Sequence, residues 1–385
     1  MKNYEKKLER IKGCLIGGAV GDALGYPVEF DSEAEIFGKY GTKGVSSYEL
    51  NSDGVALISD DTQMTLFTAV GATKRMYANI AGNANSSNSA YVKAINMAYR
   101  EWYYTQTLSY GSARLQRDAG LITQTTWLFE IPSLYSVRAP GNTCLSAIVK
   151  GCNGTMKKPI NDSYGCGGVM RVAPIGLLFA SNPIKAMHIG VESAALTHGH
   201  ALGYFPAAVL AHMISTLTSR TSMSVETAAL RAIDDTIETY GSSQHMTKLK
   251  QIIDRALRFS TSAFSDIDVI RMLGEGWTGE EALAIAIYCA ARHEQSFENA
   301  VRAAVSHGGD SDSTGAITGN IIGARLGICG IPEKYLSTLE HLELLNDVAE
   351  DIAIISSNGT RVLTEDESKR LFDRYVRNEA PSKFK

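Results

Sequence analysis

The sequence predicts an all-α protein whose helices form one domain, and three observations carry that prediction. Apolar and small residues recur at spacings of three and four along most of the chain. Almost no segment shows the two-residue alternation of a half-buried strand. Only nine prolines occur among 385 residues, which suits a chain in which proline would break helices. A hydrophobic share of 44% is ample for a sizeable core, and a formal net charge of -4 leaves no basic excess for a nucleic-acid channel.

The chain starts MKNYEKKLERIKG, with charge where a secretory leader needs an apolar stretch, and no run of 18 uncharged apolar residues follows. The expectation is a cytoplasmic protein without membrane contact. Cys14, Cys144, Cys152, Cys166, Cys289 and Cys329 lack CxxC spacing and read as free thiols. Gly13, Gly17, Gly21 and Gly25 recur every four residues, and so do Gly315, Gly319, Gly323 and Gly327. Each glycine costs a helix about 1 kcal/mol relative to alanine. Two such stripes therefore predict two helices whose backbones approach closely at the domain centre. Pro27 ends the first of them near Tyr26.

The segment 58-ISDDTQMTLF-67 begins the next helix, with Ser59 or Asp60 as its N-cap. Residues 96–136 are rich in tyrosine and tryptophan and read either as a lid or docking insertion, or as extra core. Helical patterns continue at 204–217, 280–293 and 297–305, separated by polar or glycine-rich breaks at 80–89, 130–142, 153–168 and 273–279. One domain over 1–376 with a flexible tail at 377–385 is the resulting expectation.

Two acidic clusters remain to be explained. In 306-SHGGDSDSTG-315, Asp310 and Asp312 stand among hydroxyls behind two glycines, and 59-SDDT-62 places Asp60 beside Asp61. Helix capping explains one side chain in each, Asp312 or Ser313 in the later one, but not the surplus carboxylates, which repel one another unless a cation neutralises them. The donors are hard oxygens, which favour magnesium, manganese or calcium over zinc. Adjacent helical positions diverge by about 100°, so Asp60 and Asp61 suit two ions better than one. If the striped helices run antiparallel, Glu29, just past the first, meets Asp310 and Asp312. The glycines at 308 and 309 are expected to hold both aspartates in a turn ahead of the second helix. Asp22, inside the first, reads as a buried structural carboxylate.

GDALGYPVEF, SDDTQM, RAPGNT, GCGGVMRVAPIGL, LTHGHALGY and GGDSDS, in this order, resemble the ADP-ribosylglycohydrolase family, which includes the dinitrogenase reductase-activating glycohydrolases. The resemblance runs from about residue 10 to residue 330. It implies a single compact orthogonal helical domain, two Mg2+ or Mn2+ ions, and hydrolysis of the bond joining ADP-ribose to a protein side chain. It assigns metal ligation to Glu29, Ser59, Asp60, Asp61, Asp310, Asp312 and Ser313, and catalysis to the carboxylates among them. Substrate contacts fall to Gly165, Cys166, Gly167, Gly168, Met170 and His198, with the amides of 165–168 cradling the diphosphate. Relatives carry asparagine where this chain has Cys166, and often threonine at positions 59 and 313.

Family members act on arginine-, serine- or nucleic-acid-linked ADP-ribose. The resemblance to the bacterial branch points to arginine on an ADP-ribosylated protein. Alternatives are an immunity-type protein that also blocks a toxin transferase, and a structural protein like the lens crystallins that resemble this family. Cys166 with His198 also spells a nucleophile and its base.

Overall fold

A computed structural model of the chain describes residues 2–82, 87–220, 222–357 and 362–385. Its first helices are α1 Lys2–Gly25, α2 Glu33–Tyr40, α3 Asp60–Ile80, α4 Asn88–Thr107, α5 Tyr110–Asp118 and α6 Asn142–Val149. The middle of the chain forms α7 Ala173–Leu178, α8 Pro183–Ala195, α9 Ala201–Ser219, α10 Val225–Tyr240, α11 Gln244–Ser260 and α12 Asp266–Leu273. There follow α13 Gly279–Arg292, α14 Phe297–Val305, α15 Ser311–Leu326, α16 Leu342–Ile355 and α17 Glu365–Phe372. Among the described residues the only β-type pairings are isolated bridges, one of which joins Gly165 to Thr278. The architecture is one compact all-α domain.

Local sequence sets the helix starts. Ser32, Ser109, Ser224, Ser243, Ser265 and Ser296 each accept the backbone N–H three residues on, at the mouths of α2, α5, α10, α11, α12 and α14. The predicted patterns at 204–217, 280–293 and 297–305 are α9, α13 and α14.

The two glycine stripes lie face to face. Gly13 meets the backbone of Gly323, Gly17 that of Gly319, Gly21 that of Gly315 and Gly25 that of Ser311. The pairing falls as one number rises, so α1 and α15 run antiparallel. A Cβ on Gly17 would lie 2.6 Å from the carbonyl oxygen of Gly319, closer than real side chains come. Asn320 Nδ2 closes the same seam by donating to Cys14 O at 2.8 Å. Around this pair, α14 and α13 pack on α15, α16 packs on α1 and α3, and α9 joins α7, α8, α10 and α13.

By length and composition α9 could cross a membrane, but its apolar surface is buried on nearly every side by the rest of the domain. In the 96–136 segment, Trp102 and Trp127 are fully buried. Trp102 Nε1 donates to Gln63 Oε1 at 3.1 Å, which ties the segment to α3. Its tryptophans thus serve the core, while Leu115 and Leu121 stay exposed. The segment 377–385, read from sequence as a tail, lies against the body: Ala380 is buried and Asn378 Oδ1 accepts from Lys74 Nζ at 2.6 Å.

Candidate active site

Asp22 organises the first acidic cluster without belonging to the cavity wall. From α1 it accepts the Ser59 N–H at 2.9 Å and the Thr62 N–H at 3.1 Å, and it bonds the Thr62 hydroxyl at 2.5 Å. One buried carboxylate thereby satisfies orphan donors at the start of α3. Ser59 is the N-cap, accepting from Asp61 N at 3.2 Å. Relieved of capping, Asp60 and Asp61 are available to the cleft. Asp60 Oδ2 is steadied by the Gly141 N–H at 3.2 Å, which gives the RAPGNT turn a positioning role.

The second cluster departs from expectation in one respect. Its helix is capped by Asp310 itself, which accepts from Ser313 N at 3.3 Å, so α15 begins at Ser311 and Asp312 lies inside its first turn. Capping by Asp312 or Ser313, and a turn holding both aspartates ahead of the helix, are both corrected. Gly309, at φ +135°, allows the chain to enter this turn where its backbone packs on Glu275. The antiparallel seam then delivers Glu29 as predicted. Glu29, Asp310 and Asp312 each bring one carboxylate oxygen to within 4.8 Å of the others.

These groups line a cavity of about 510 Å³, together with Asp60, Asp61, Gly165, Cys166, Gly167, Met170, His198 and Ser313. Two predicted residues are absent from that wall. Ser59 sits behind it, hydrogen-bonded to Asp312. Gly168 is a packing glycine, since a Cβ there would lie 2.5 Å from Gly203 O and 3.1 Å from the Ala194 Cβ.

The donor set fits a divalent cation. Glu29 Oε2 and Asp61 Oδ1 are buried with no hydrogen-bond partner, an expensive arrangement for carboxylates unless something positive stands between them. Burial, and then the charge of Asp312, push Glu29 up to about 9 and hold Asp60, Asp61 and Asp310 well above the carboxylate range. Burial and Asp312 likewise raise Asp22 to about 7.

A pH dependence follows. Glu29 and Asp22 hold protons in the metal-free folded state that the unfolded chain gives up near pH 4. Their stabilising contribution is complete below that pH and is lost as pH rises through about 7 and then about 9. The metal-free protein should therefore lose thermal stability between pH 5 and pH 9. Mn2+ or Mg2+ at one fixed concentration, about 100 times its Kd at pH 9, should restore about 5 °C at the alkaline end and less at the acid end, where protons compete for the carboxylates. Calorimetry with and without a chelator checks this; a metal-induced shift that was the same at both ends would contradict it.

The opposite wall is the glycine-rich turn. Cys166–Gly168 form a 3-10 turn, and the Cys166 N–H donates to Trp277 O at 3.2 Å. That amide is therefore spent inside the protein, which reduces the expected amide cradle. The Cys166 thiol donates to Asp310 Oδ2 at 2.8 Å and is held well above its ordinary range by burial and by Asp310. A protonated thiol bonded to a carboxylate is no nucleophile, so the Cys166–His198 reading fails.

His198 is part of a relay that the sequence did not reveal. Buried Arg171, lying 4.3 Å from the Tyr99 ring centroid, donates to Thr197 Oγ1 at 2.5 Å. Thr197 Oγ1 is 2.8 Å from His198 Nδ1. Arginine only donates, so Thr197 Oγ1 accepts from Arg171, and its contact with Nδ1 fixes the orientation of the His198 ring. Burial and Arg171 push His198 down to about 3, so the ring is neutral. A Cβ at Gly167 would come within 3.2 Å of Nε2, so this glycine makes room for the ring. The available signal for Arg171 was a lone charge inside the apolar run VMRVAPIGL.

At the mouth, Phe30 and Trp277 stack with centroids 5.8 Å apart and planes 21° from parallel.

The fold and this cleft define an all-helical protein with an acidic, cation-ready cavity closed by a glycine-rich turn. The family model for ADP-ribosylglycohydrolase matches residues 3–361, and the chain belongs to that family. It is similar to ADP-ribosylhydrolase ARH3 of Danio rerio, 23% identical over 89% of each chain. It is also similar to ADP-ribosyl-[dinitrogen reductase] glycohydrolase of Rhodospirillum rubrum, 24% identical over 86% of this chain and 90% of that one. Among solved structures, an ADP-ribosylglycohydrolase-related protein complex shares the fold, with a TM-score of 0.58, 21% identity, and coverage of 91% of this chain and 99% of that one.

Proposed function

We propose that the protein hydrolyses the C1 glycosidic bond between ADP-ribose and a protein side chain, arginine foremost, with divalent cations in the acidic cavity. The observation that carries this reading is the convergence of Glu29, Asp310 and Asp312 on the cavity, with buried unpartnered oxygens on Glu29 and Asp61, in a chain of this family. Glu29, Asp310 and Asp312 would hold the metal, with Asp60, Asp61 and Ser313 beside them. Bound there, a hard divalent cation supplies the positive charge that draws the vicinal ribose hydroxyls and a water into the cleft.

The chain's own residues do the rest. In the reaction the C1–N bond breaks, a water oxygen bonds to C1, and the departing guanidine takes a proton and leaves as guanidinium. Glu29, with one oxygen free of protein partners and its place at the junction of cavity and mouth, is positioned to move that proton. The acidic floor favours the oxocarbenium character that develops at C1. His198 Nε2 faces the glycine-rich turn and is placed to hydrogen-bond a substrate oxygen; burial and Arg171 keep the ring neutral, and Thr197 holds its orientation.

The test uses matched arginine-linked and serine-linked ADP-ribosyl peptides, with Mg2+, with Mn2+ and with a chelator. Metal-dependent release of ADP-ribose from the arginine-linked peptide is expected. Release from the serine-linked peptide alone would overturn the acceptor, and release unaffected by the chelator would overturn the role of the metal.

A further inference from the structure

Large aromatic side chains are rarely left in water without a reason, and two of them stand together at the mouth of the cavity. Phe30 is 78% exposed and Trp277 is 39% exposed. Neither belongs to the hydrophobic core, although the Gly276 turn beside Trp277 is closely packed on Thr314 and Asp310. The stacked pair forms a wall shared by two adjoining cavities, the acidic one already described and a second groove of about 800 Å³ that opens outward.

The outer groove has a definite charge. Its one guanidinium, Arg271, is neutralised by Glu33 and by Asp268. Asp31, Glu35 and Glu275 also line it, and among the described residues no ion pair reaches any of them. Uncompensated carboxylates lining a concave surface focus a negative potential outward. An aromatic face beside such a field is a surface for a planar cation, because a guanidinium stacks on aromatic rings and pairs with carboxylates at its edge.

From this geometry we infer that the outer groove docks the polypeptide of the modified protein, as a basic segment flanking the modified residue, and that Phe30 and Trp277 form the platform for the acceptor side chain. The inference rests on the hydrolase reading for the identity of the inner ligand, and adds where the protein part of the substrate lies and what its chemistry is. The seam between α1 and α15 fixes Glu29, and hence its neighbour Phe30, at the junction. The Trp277 carbonyl, by holding the Cys166 N–H, fixes the other ring against the glycine-rich turn. The platform is thus anchored to the same two elements that build the inner cavity.

The experiment compares two nine-residue peptides with a central arginine, one flanked by arginines and lysines, the other by glutamates at the same positions. Binding of the unmodified, dye-labelled peptides to the full chain is read by fluorescence anisotropy. Release of ADP-ribose from the modified peptides is read in parallel. The basic peptide should bind at least about ten-fold tighter at low salt, and the gap should shrink several-fold at about 0.5 M salt. Glu275→Lys should raise KM for the basic peptide about ten-fold while kcat falls less than two-fold, and Phe30→Ala should weaken binding of the arginine-centred peptide. Asp31→Asn, with its smaller change in charge, provides a second test should Glu275→Lys disturb the neighbouring turn.

Equal binding of the two peptides, or variants that affect both alike, would overturn the inference. Preferential binding without any release of ADP-ribose would support the groove and sink the hydrolase reading. Release without preference would do the reverse.

Discussion

Asp312→Asn is expected to lower metal-dependent release of ADP-ribose by about 10³-fold or more, while leaving the protein folded. The residue stands where the site's charges meet: after burial, its carboxylate is the largest influence on Glu29, Asp60, Asp61 and Asp310. Asparagine keeps an oxygen for the Ser313 N–H, which Asp312 Oδ1 accepts at 2.9 Å, so the first turn of α15 stays intact. Removing one negative charge from a crowded group also relieves repulsion. The metal-free variant should melt higher than the metal-free parent at pH 8, and its stabilisation by Mn2+ should shrink. Calorimetry and turnover on one preparation check both halves; a variant that kept the parent's metal response and rate would remove Asp312 from the site.

The second large effect lies in the seam between α1 and α15. An exposed helical Gly→Ala change stabilises by up to about 1 kcal/mol, and Gly38→Ala in α2, with open space around its Cβ, should do that. Gly319→Ala should have the opposite sign and cost about 3 kcal/mol, because its Cβ would overlap the Gly17 carbonyl. Gly319→Val should prevent folding. Denaturant titration of the alanine variants gives the comparison. Equal signs for positions 38 and 319 would mean that the helices can part at little cost.

How much of this was legible beforehand divides along a physical line. The seam was readable because four glycines at a spacing of four contradict helix propensity, and few arrangements justify that. Asp60, Asp61, Asp310 and Asp312 stood out because surplus carboxylates beside a helix start exceed what capping needs, and the meeting of Glu29 with Asp310 and Asp312 followed from an antiparallel seam. Asp22 read correctly as structural, but its work, holding the start of α3, joins residues 22 and 59–62 through bonds that no local pattern records.

Two details of the same cluster were misjudged at the level of single residues. Which side chain caps α15 depends on backbone angles at Gly309 and Asp310. Gly168 shares a motif with Gly167 yet faces the packing side. The relay from Arg171 through Thr197 to His198 and the Phe30–Trp277 platform stayed hidden because their members come from separate segments and meet only in the fold. Composition reports that such residues exist, not which ones touch.

The antiparallel seam also has a history in time. During synthesis α1 emerges well ahead of the glycine face it needs, which is encoded after residue 310. At ~5–20 residues per second the ribosome takes roughly 15 to 60 s to supply it. Through that interval the stripe of α1 has no partner, Glu29 has no neighbours from α15, and the cavity lacks two of its carboxylates. The acidic cavity is therefore among the last features to form, and an incomplete nascent chain carries neither the assembled cation site nor the hydrolytic centre proposed for it.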